Sequence, residues 1–260
     1  MTSYTQLEFH QKERIAYLSL NRPEQKNTLT PTLVAELKHA LAQVEQSQDL
    51  KVVVIRGNGA VFCAGADLPQ LESLQQQALE ENLKDANHLA DLYLMMYRSS
   101  KVIIAQVEGP AFGSGMGLVS VCDFAFAVPE ALLGYPEVKY GFVPSLEMVF
   151  LLRKVGETRT KELLLGGEAL KPEQAVSYGL INAVVPADDM REHVFQLASR
   201  ICNQNSAASL QLIKKMVADI PNFPVDQGLR FAAKMNAHAR GTEDFRKGIQ
   251  AFLSNEKLEW

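Results

Sequence analysis

Gly109-Pro-Ala-Phe-Gly-Ser-Gly-Met-Gly117 is the stretch that decides how this chain folds. The apolar run Val102 to Val107 before it reads as a buried strand, and Leu118-Val-Ser-Val-Cys122 after it continues as a helix. A junction of this kind gathers unpaired backbone N–H groups at one point. With the helix dipole behind them, those donors suit an anion or a developing negative charge. Glycine lets a ligand reach the backbone because no Cβ stands in the way. A second junction lies upstream. Val52-Val-Val-Ile55 reads as a strand, Arg56-Gly-Asn-Gly59 as a turn, and Phe62-Cys-Ala-Gly-Ala-Asp-Leu68 again exposes backbone through small residues. A tight turn alone would account for either junction. The two together suggest a pair of donors for one oxygen.

Composition narrows the partners. A chain of 260 residues, 47% apolar and 22% charged, has the make-up of a globular protein with one large domain, or one domain and an appendage. A net charge of −4 gives no general attraction to nucleic acid or to an anionic membrane surface. Met1-Thr-Ser-Tyr-Thr-Gln6 lacks the basic and apolar regions of a leader, and no apolar run approaches the roughly 20 residues of a membrane span. Cys63, Cys122 and Cys202 are widely spaced and odd in number, which fits a reducing cytoplasm rather than a disulfide framework. His10, His39, His88, His193 and His238 show no metal-ligand spacing, and no metal is expected. His88 stands out, because its helix follows the first small-residue loop.

Around the two junctions the chain reads as a mixed α/β core followed by helices. Tyr4 to His10 and Arg14 to Leu20 alternate as two strands about a turn at Gln11-Lys-Glu13. Thr30-Pro31 caps a helix whose apolar residues recur from Leu33 to Val44. Gln70 to Asn87 is polar, a solvated helix or a lid, and Leu89 to Tyr97 reads as a buried helix. Asp123 to Val128 is a strand. Glu137 falls in a loop among Tyr135, Val138 and Tyr140, and Pro144 opens a helix. Residues 1–186 form the expected core and residues 187–260 a helical region for oligomerisation and cover of the site, broken at Pro221-Asn-Phe-Pro224.

Five motifs, in order, resemble the crotonase (enoyl-CoA hydratase/isomerase) superfamily. They are Leu20-Asn-Arg-Pro-Glu-Gln-Lys-Asn27, Phe62 to Leu68, Gly109 to Gly117 with Cys122-Asp123, Tyr135-Pro-Glu-Val-Lys-Tyr-Gly141, and Thr242-Glu-Asp-Phe-Arg-Lys-Gly-Ile-Gln-Ala-Phe252. The resemblance spans nearly the whole chain. It implies a spiral of ββα units with a helical C-terminal region, assembled as a homotrimer or homohexamer. The implied activity is chemistry on an acyl-CoA thioester, with no cofactor beyond the coenzyme A carried by the substrate. The N–H groups of Ala66 and Ser114 would then hold the thioester oxygen. Gln25 or Lys26, with Ala64, Asp67, Leu68 and Gly113, would bind the substrate.

One expected acid is missing. Well-known hydratases of the family carry two glutamates. One aligns with Glu137, and the other aligns with Gly117, where this chain has none. Glycine there leaves room for a water or for another acid. Glu147 is a candidate second acid, at a position that otherwise reads as helix surface. Water addition is served by two carboxyls, whereas moving a double bond needs only one. Isomerases with a single glutamate resemble the chain on this point. So do hydratases assigned to methylglutaconyl-CoA, through Gly117-Leu-Val-Ser-Val-Cys-Asp123 and Phe150-Leu-Leu-Arg-Lys-Val-Gly156. Hydratase is the first reading, isomerase the second, and a non-catalytic acyl-CoA-binding trimer the third. A dinucleotide site fails on glycine spacing.

Overall fold

The structure, a computed structural model, describes residues 4–260. Met1 to Ser3, the start of the amino-terminal stretch read above, lie outside the described residues. In chain order the strands are β1 (Leu7–Lys12), β2 (Ile15–Leu20), β3 (Val52–Gly57), β4 (Val102–Val107), β5 (Ala111–Phe112), β6 (Phe124–Ala127), β7 (Leu133–Gly134) and β8 (Ala183–Val184). The helices are α1 (Pro31–Gln46), α2 (Leu68–Leu74), α3 (Leu79–Arg98), α4 (Ser114–Val121), α5 (Ser145–Gly166), α6 (Pro172–Ser177), α7 (Ala187–Gln204), α8 (Ala207–Asp219), α9 (Val225–Arg240) and α10 (Glu243–Ser254).

The main sheet has six strands in the order β1-β2-β3-β4-β6-β8, parallel except for β1. Every residue of β2 and β4 is buried. The alternation expected from Arg14 to Leu20 is therefore absent. A sheet covered on both faces needs continuous burial, and α7 packs across β2, β3, β4 and β6 on one side. The first turn is shorter than expected: Gln11 and Lys12 pair within β1, leaving Glu13 and Arg14 to turn, with Glu13 at φ 53°.

Beside the main sheet runs a second row of short pairings. Leu29 bridges Ala66, Cys63 bridges Ala111, β5 pairs with β7 in parallel, and Leu133 bridges Leu170. Successive windings of the chain thus add one strand to the main sheet and one short segment to the second row. That row carries all the loops singled out in the sequence.

Helices close the structure. Thr30 Oγ1 accepts from the Leu33 N–H at 3.1 Å, Pro31 follows the cap, and α1 buries Leu33, Val34, Leu37, Ala40, Leu41 and Val44. The polar stretch Gln70 to Asn87 is helical on both sides of a short break, and α3 buries only its second half, at Leu92, Tyr93 and Met96. Lys51 is buried, and its Nζ donates to the carbonyls of Cys202 (2.8 Å) and Asn205 (3.0 Å), tying the end of α7 to the core. Among the described residues no helix is long and apolar enough to cross a membrane.

Candidate active site

The two junctions are stitched together by backbone. The N–H groups of Phe62 and Cys63 both donate to the Pro110 carbonyl, at 3.0 and 3.2 Å, and the Phe112 N–H donates back to the Cys63 carbonyl at 3.0 Å. The Leu29 N–H holds the Gly65 carbonyl at 2.8 Å, one residue before Ala66. The Gly113 N–H donates to the Gly134 carbonyl at 2.9 Å, one residue before Ser114 opens α4. No acceptor among the described residues takes the N–H of Ala66 or of Ser114. Both residues line one small cavity of about 50 Å³, together with Leu29, Pro31, Asp67 and His88. A larger hollow of about 540 Å³ lies at the other end of α4, with Val121, Phe150, Leu210 and Ile213 in its walls. It holds neither of these free amides, so the chemistry is sought at the smaller cavity.

Two carboxyl groups flank the first turn of α4. Glu137 lies in a 3-10 turn, Pro136–Tyr140, rather than in an irregular loop. Gly113 has φ 53°, and a Cβ built on it would stand 2.6 Å from Glu137 Oε1. The carboxyl therefore occupies the place of a side chain. Burial pushes the Glu137 carboxyl from 4.5 up to about 7; its own backbone N–H offsets part of the rise, and Glu147 adds to it. Glu137 Oε2 and Ser114 Oγ are both buried with no hydrogen-bond partner among the described residues. Buried polar atoms left unpaired are uncommon and mark a place built for a ligand or a water.

The space above Gly117 is filled. A Cβ there would meet the Tyr93 hydroxyl at 2.2 Å and Glu147 Cγ at 2.9 Å. Glu147 is not on the helix surface, as its position suggested; it is 5% exposed. Burial raises its carboxyl above the ordinary range, against its own backbone N–H and the Tyr93 hydroxyl. The Tyr93 hydroxyl lies 2.9 Å from the Ser114 carbonyl and 3.0 Å from Glu147 Oε1.

Of the remaining predicted residues, Asp67 lines the small cavity, whereas Gln25, Lys26, Ala64 and Leu68 do not. Gln25 and Lys26 are exposed, and the Lys26 carbonyl accepts from the Ala64 N–H at 3.0 Å, so the first signature and the first loop adjoin. Leu68 is 73% exposed at the start of α2. The Asp67 side chain faces its own protein. It accepts from Thr28 Oγ1 (2.8 Å) and the Gln70 N–H (3.3 Å) and pairs with Arg22 (3.3 Å). Burial acts to raise Asp67, but those donors outweigh it and hold the carboxyl below its usual range. His88 Nε2 lies 3.1 Å from the Pro31 carbonyl.

Sequence reading missed Tyr93 and the Arg22–Thr28 anchor. A tyrosine on a buried helix face was the available signal for the first, since a buried phenol needs a partner. Nothing local signalled the second.

Three loops of the second row therefore converge: two bring residues with free amides to the wall of one cavity, and the third carries a half-buried acid against Gly113. Residues 10–260 match the model of the family described as Enoyl-CoA hydratase/isomerase. The chain is 38% identical over 243 residues to a Thermus thermophilus protein with an enoyl-CoA hydratase name, covering 94% of this chain and 96% of that one. It is 32% identical to the 2,3-dehydroadipyl-CoA hydratase of Escherichia coli, covering 93% of each. The solved enoyl-CoA hydratase/isomerase (crotonase) of Legionella pneumophila superposes with a TM-score of 0.89 at 32% identity, over 98% of each chain. An enoyl-CoA hydratase of Mycobacterium smegmatis gives 0.92 at 26% identity, over 98% of this chain and 99% of the other. The fold is thus the crotonase α/β spiral with a helical C-terminal region. The chain belongs to the enoyl-CoA hydratase/isomerase family and is an acyl-CoA-processing enzyme.

Proposed function

We propose that the enzyme adds water to a 2-enoyl-CoA, with Ala66 and Ser114 as oxyanion donors and Glu137 as the proton carrier. The observation that carries this reading is that Ala66 and Ser114, both with free amides, line one cavity, with an acid whose carboxyl is pressed on Gly113, the residue before Ser114. A nucleophile adds to the β-carbon of an enoyl thioester only if the enolate oxygen is stabilised. One preset N–H donor is worth roughly 10²–10³ in rate. An acid poised near neutrality can both give and take a proton at working pH. The relatives named as hydratases support water addition. The glycine at 117 favours the second reading, Δ3,Δ2-enoyl-CoA isomerisation through one glutamate.

Substrate would enter along Gln25, Lys26, Ala64 and Leu68, with coenzyme A as part of the substrate and no separate cofactor. The three buried thiols fit a reducing compartment such as the cytoplasm. Exposed apolar residues on the last helices, among them Leu229, Phe252 and Leu253, support a homotrimer or homohexamer. The test follows the absorbance of the conjugated enoyl thioester. Loss from a 2-enoyl-CoA is the expected result. Gain from a 3-enoyl-CoA without loss from the 2-enoyl-CoA would establish isomerase instead.

A further inference from the structure

Gly113, the cap of α4, and Gly117, in its first turn, are joined by an N–H···O bond of 2.9 Å from Gly117 to Gly113. A glutamate side chain from a different element stands over each. Glu137, from the 3-10 turn after β7, covers Gly113, and Glu147, from α5, covers Gly117. The Tyr93 hydroxyl touches both the Ser114 carbonyl, next to Gly113, and Glu147 Oε1, and the charge of Glu147 reaches the Glu137 carboxyl. The two acids are therefore neighbours in space, although neither belongs to the helix they share.

The other titratable groups facing the pair are Tyr93 from α3, Tyr135 before the 3-10 turn, and Cys63 from the first loop. Burial keeps all three neutral, with Cys63 pushed up to about 12. Of the groups here, the two carboxyls are the ones that burial shifts toward protonation, Glu137 to about 7 and Glu147 in the same direction, and neighbouring like charges do not both ionise readily. Tyr93 suits either state of its partner. Its single proton faces Glu147 Oε1 at 3.0 Å and the Ser114 carbonyl at 2.9 Å. It can donate to an ionised Glu147, or accept from a neutral Glu147 and donate to Ser114.

The geometry points to Glu147 as the second carboxyl group of this active site, sharing one proton with Glu137 and, as the ionised member, taking the proton of the water that attacks the β-carbon. This rests on the hydratase reading above. As the new C–O bond forms, one water O–H bond breaks and its proton passes to Glu147. The π pair of the double bond shifts to the bond between the α-carbon and the thioester carbon, and the carbonyl π pair moves onto the thioester oxygen, held by the Ala66 and Ser114 amides. The enolate then takes the Glu137 proton at the α-carbon. Transfer of the proton from Glu147 to Glu137 restores the pair, with one water consumed and no net charge moved.

Glu147→Gln retains the volume and can still bond Tyr93, but it cannot ionise. Assayed with the full-length protein on a 2-enoyl-CoA, it should lower kcat by about 10²-fold or more, with KM changed by less than about threefold. The alkaline limb of the pH–rate profile should move down by about one pH unit, because Glu137 loses a like-charged neighbour. A packing role would leave that limb in place. Glu147→Asp should recover part of the rate. Unchanged kcat and an unmoved limb in Glu147→Gln overturn the proposal while leaving the hydratase reading intact; a wild-type protein inactive on 2-enoyl-CoA fails the reading itself. Infrared spectra of the wild-type protein need neither turnover nor a variant. Above about pH 6, where ordinary glutamates have ionised, one carboxylic-acid proton should persist and then titrate away. Its absence overturns the shared proton.

Discussion

Glu137 and Ser114 differ in what a substitution can remove. In the proposed mechanism Glu137 acts through its side chain, so Glu137→Gln should lower kcat/KM by about 10²-fold or more at unchanged fold, read in the enoyl thioester assay. Its ionisation also couples to stability. Glu137 has a folded value of about 7 against an ordinary 4.5, so the folded state holds the proton more tightly. The stability this gives is complete below pH 4.5 and is lost as pH rises through about 7. Urea titrations at pH 4.5 and pH 8 should show wild type losing more stability across that window than Glu137→Gln. In the proposed mechanism Ser114 acts through its N–H, so only proline tests it. It is the first residue of α4, where proline fits a helix, and Gly113 before it has the glycine freedom to remain at φ 53°. Ser114→Pro should fold with an unchanged far-UV spectrum and lose roughly 10²–10³ in kcat.

Among the elements, α1 and α4 show how much a local sequence specifies. Thr30 caps α1 with its hydroxyl, and Thr30→Ala should cost about 1 kcal/mol, visible as a lower urea midpoint with the same slope. That helix was legible residue by residue, as was the strand at Val102–Val107. Both rest on signals within a few residues: a cap, a proline, an apolar run. The glycine junctions were legible too, because strand-to-helix turns expose backbone whatever the tertiary context. The burial of Glu147 was not. The residue looks like any acidic position in the first turn of a helix, and its burial is imposed by Tyr93, 54 positions earlier, and by the lack of a side chain at Gly117. Non-local packing of that kind leaves no mark in the periodicity of α5. The full burial of β2 escaped for the same reason, since the second covered face comes from α7.

For the molecule as a whole, the attachment of the C-terminal helices is the point to probe. Lys51 sits buried at the end of α7, its ammonium lowered in pKa by burial and by Arg14, and serves the Asn205 carbonyl and the Cys202 carbonyl, which Arg14 also reaches. Lys51→Ala should destabilise the fold by about 1–3 kcal/mol, measured by urea unfolding, because two hydrogen bonds from a charged donor are lost. The second row of short pairings has a different significance. Each winding is anchored twice, once in the broad sheet and once in the narrow row, and the narrow anchors hold only one or two residues apiece. Deleting one residue between Val107 and Ala111 would leave the broad sheet zipped while sliding one winding out of step with the next. Such a protein would pass every test of foldedness and yet be inert, because its catalytic alignment depends on the phase between windings more than on the strength of either layer.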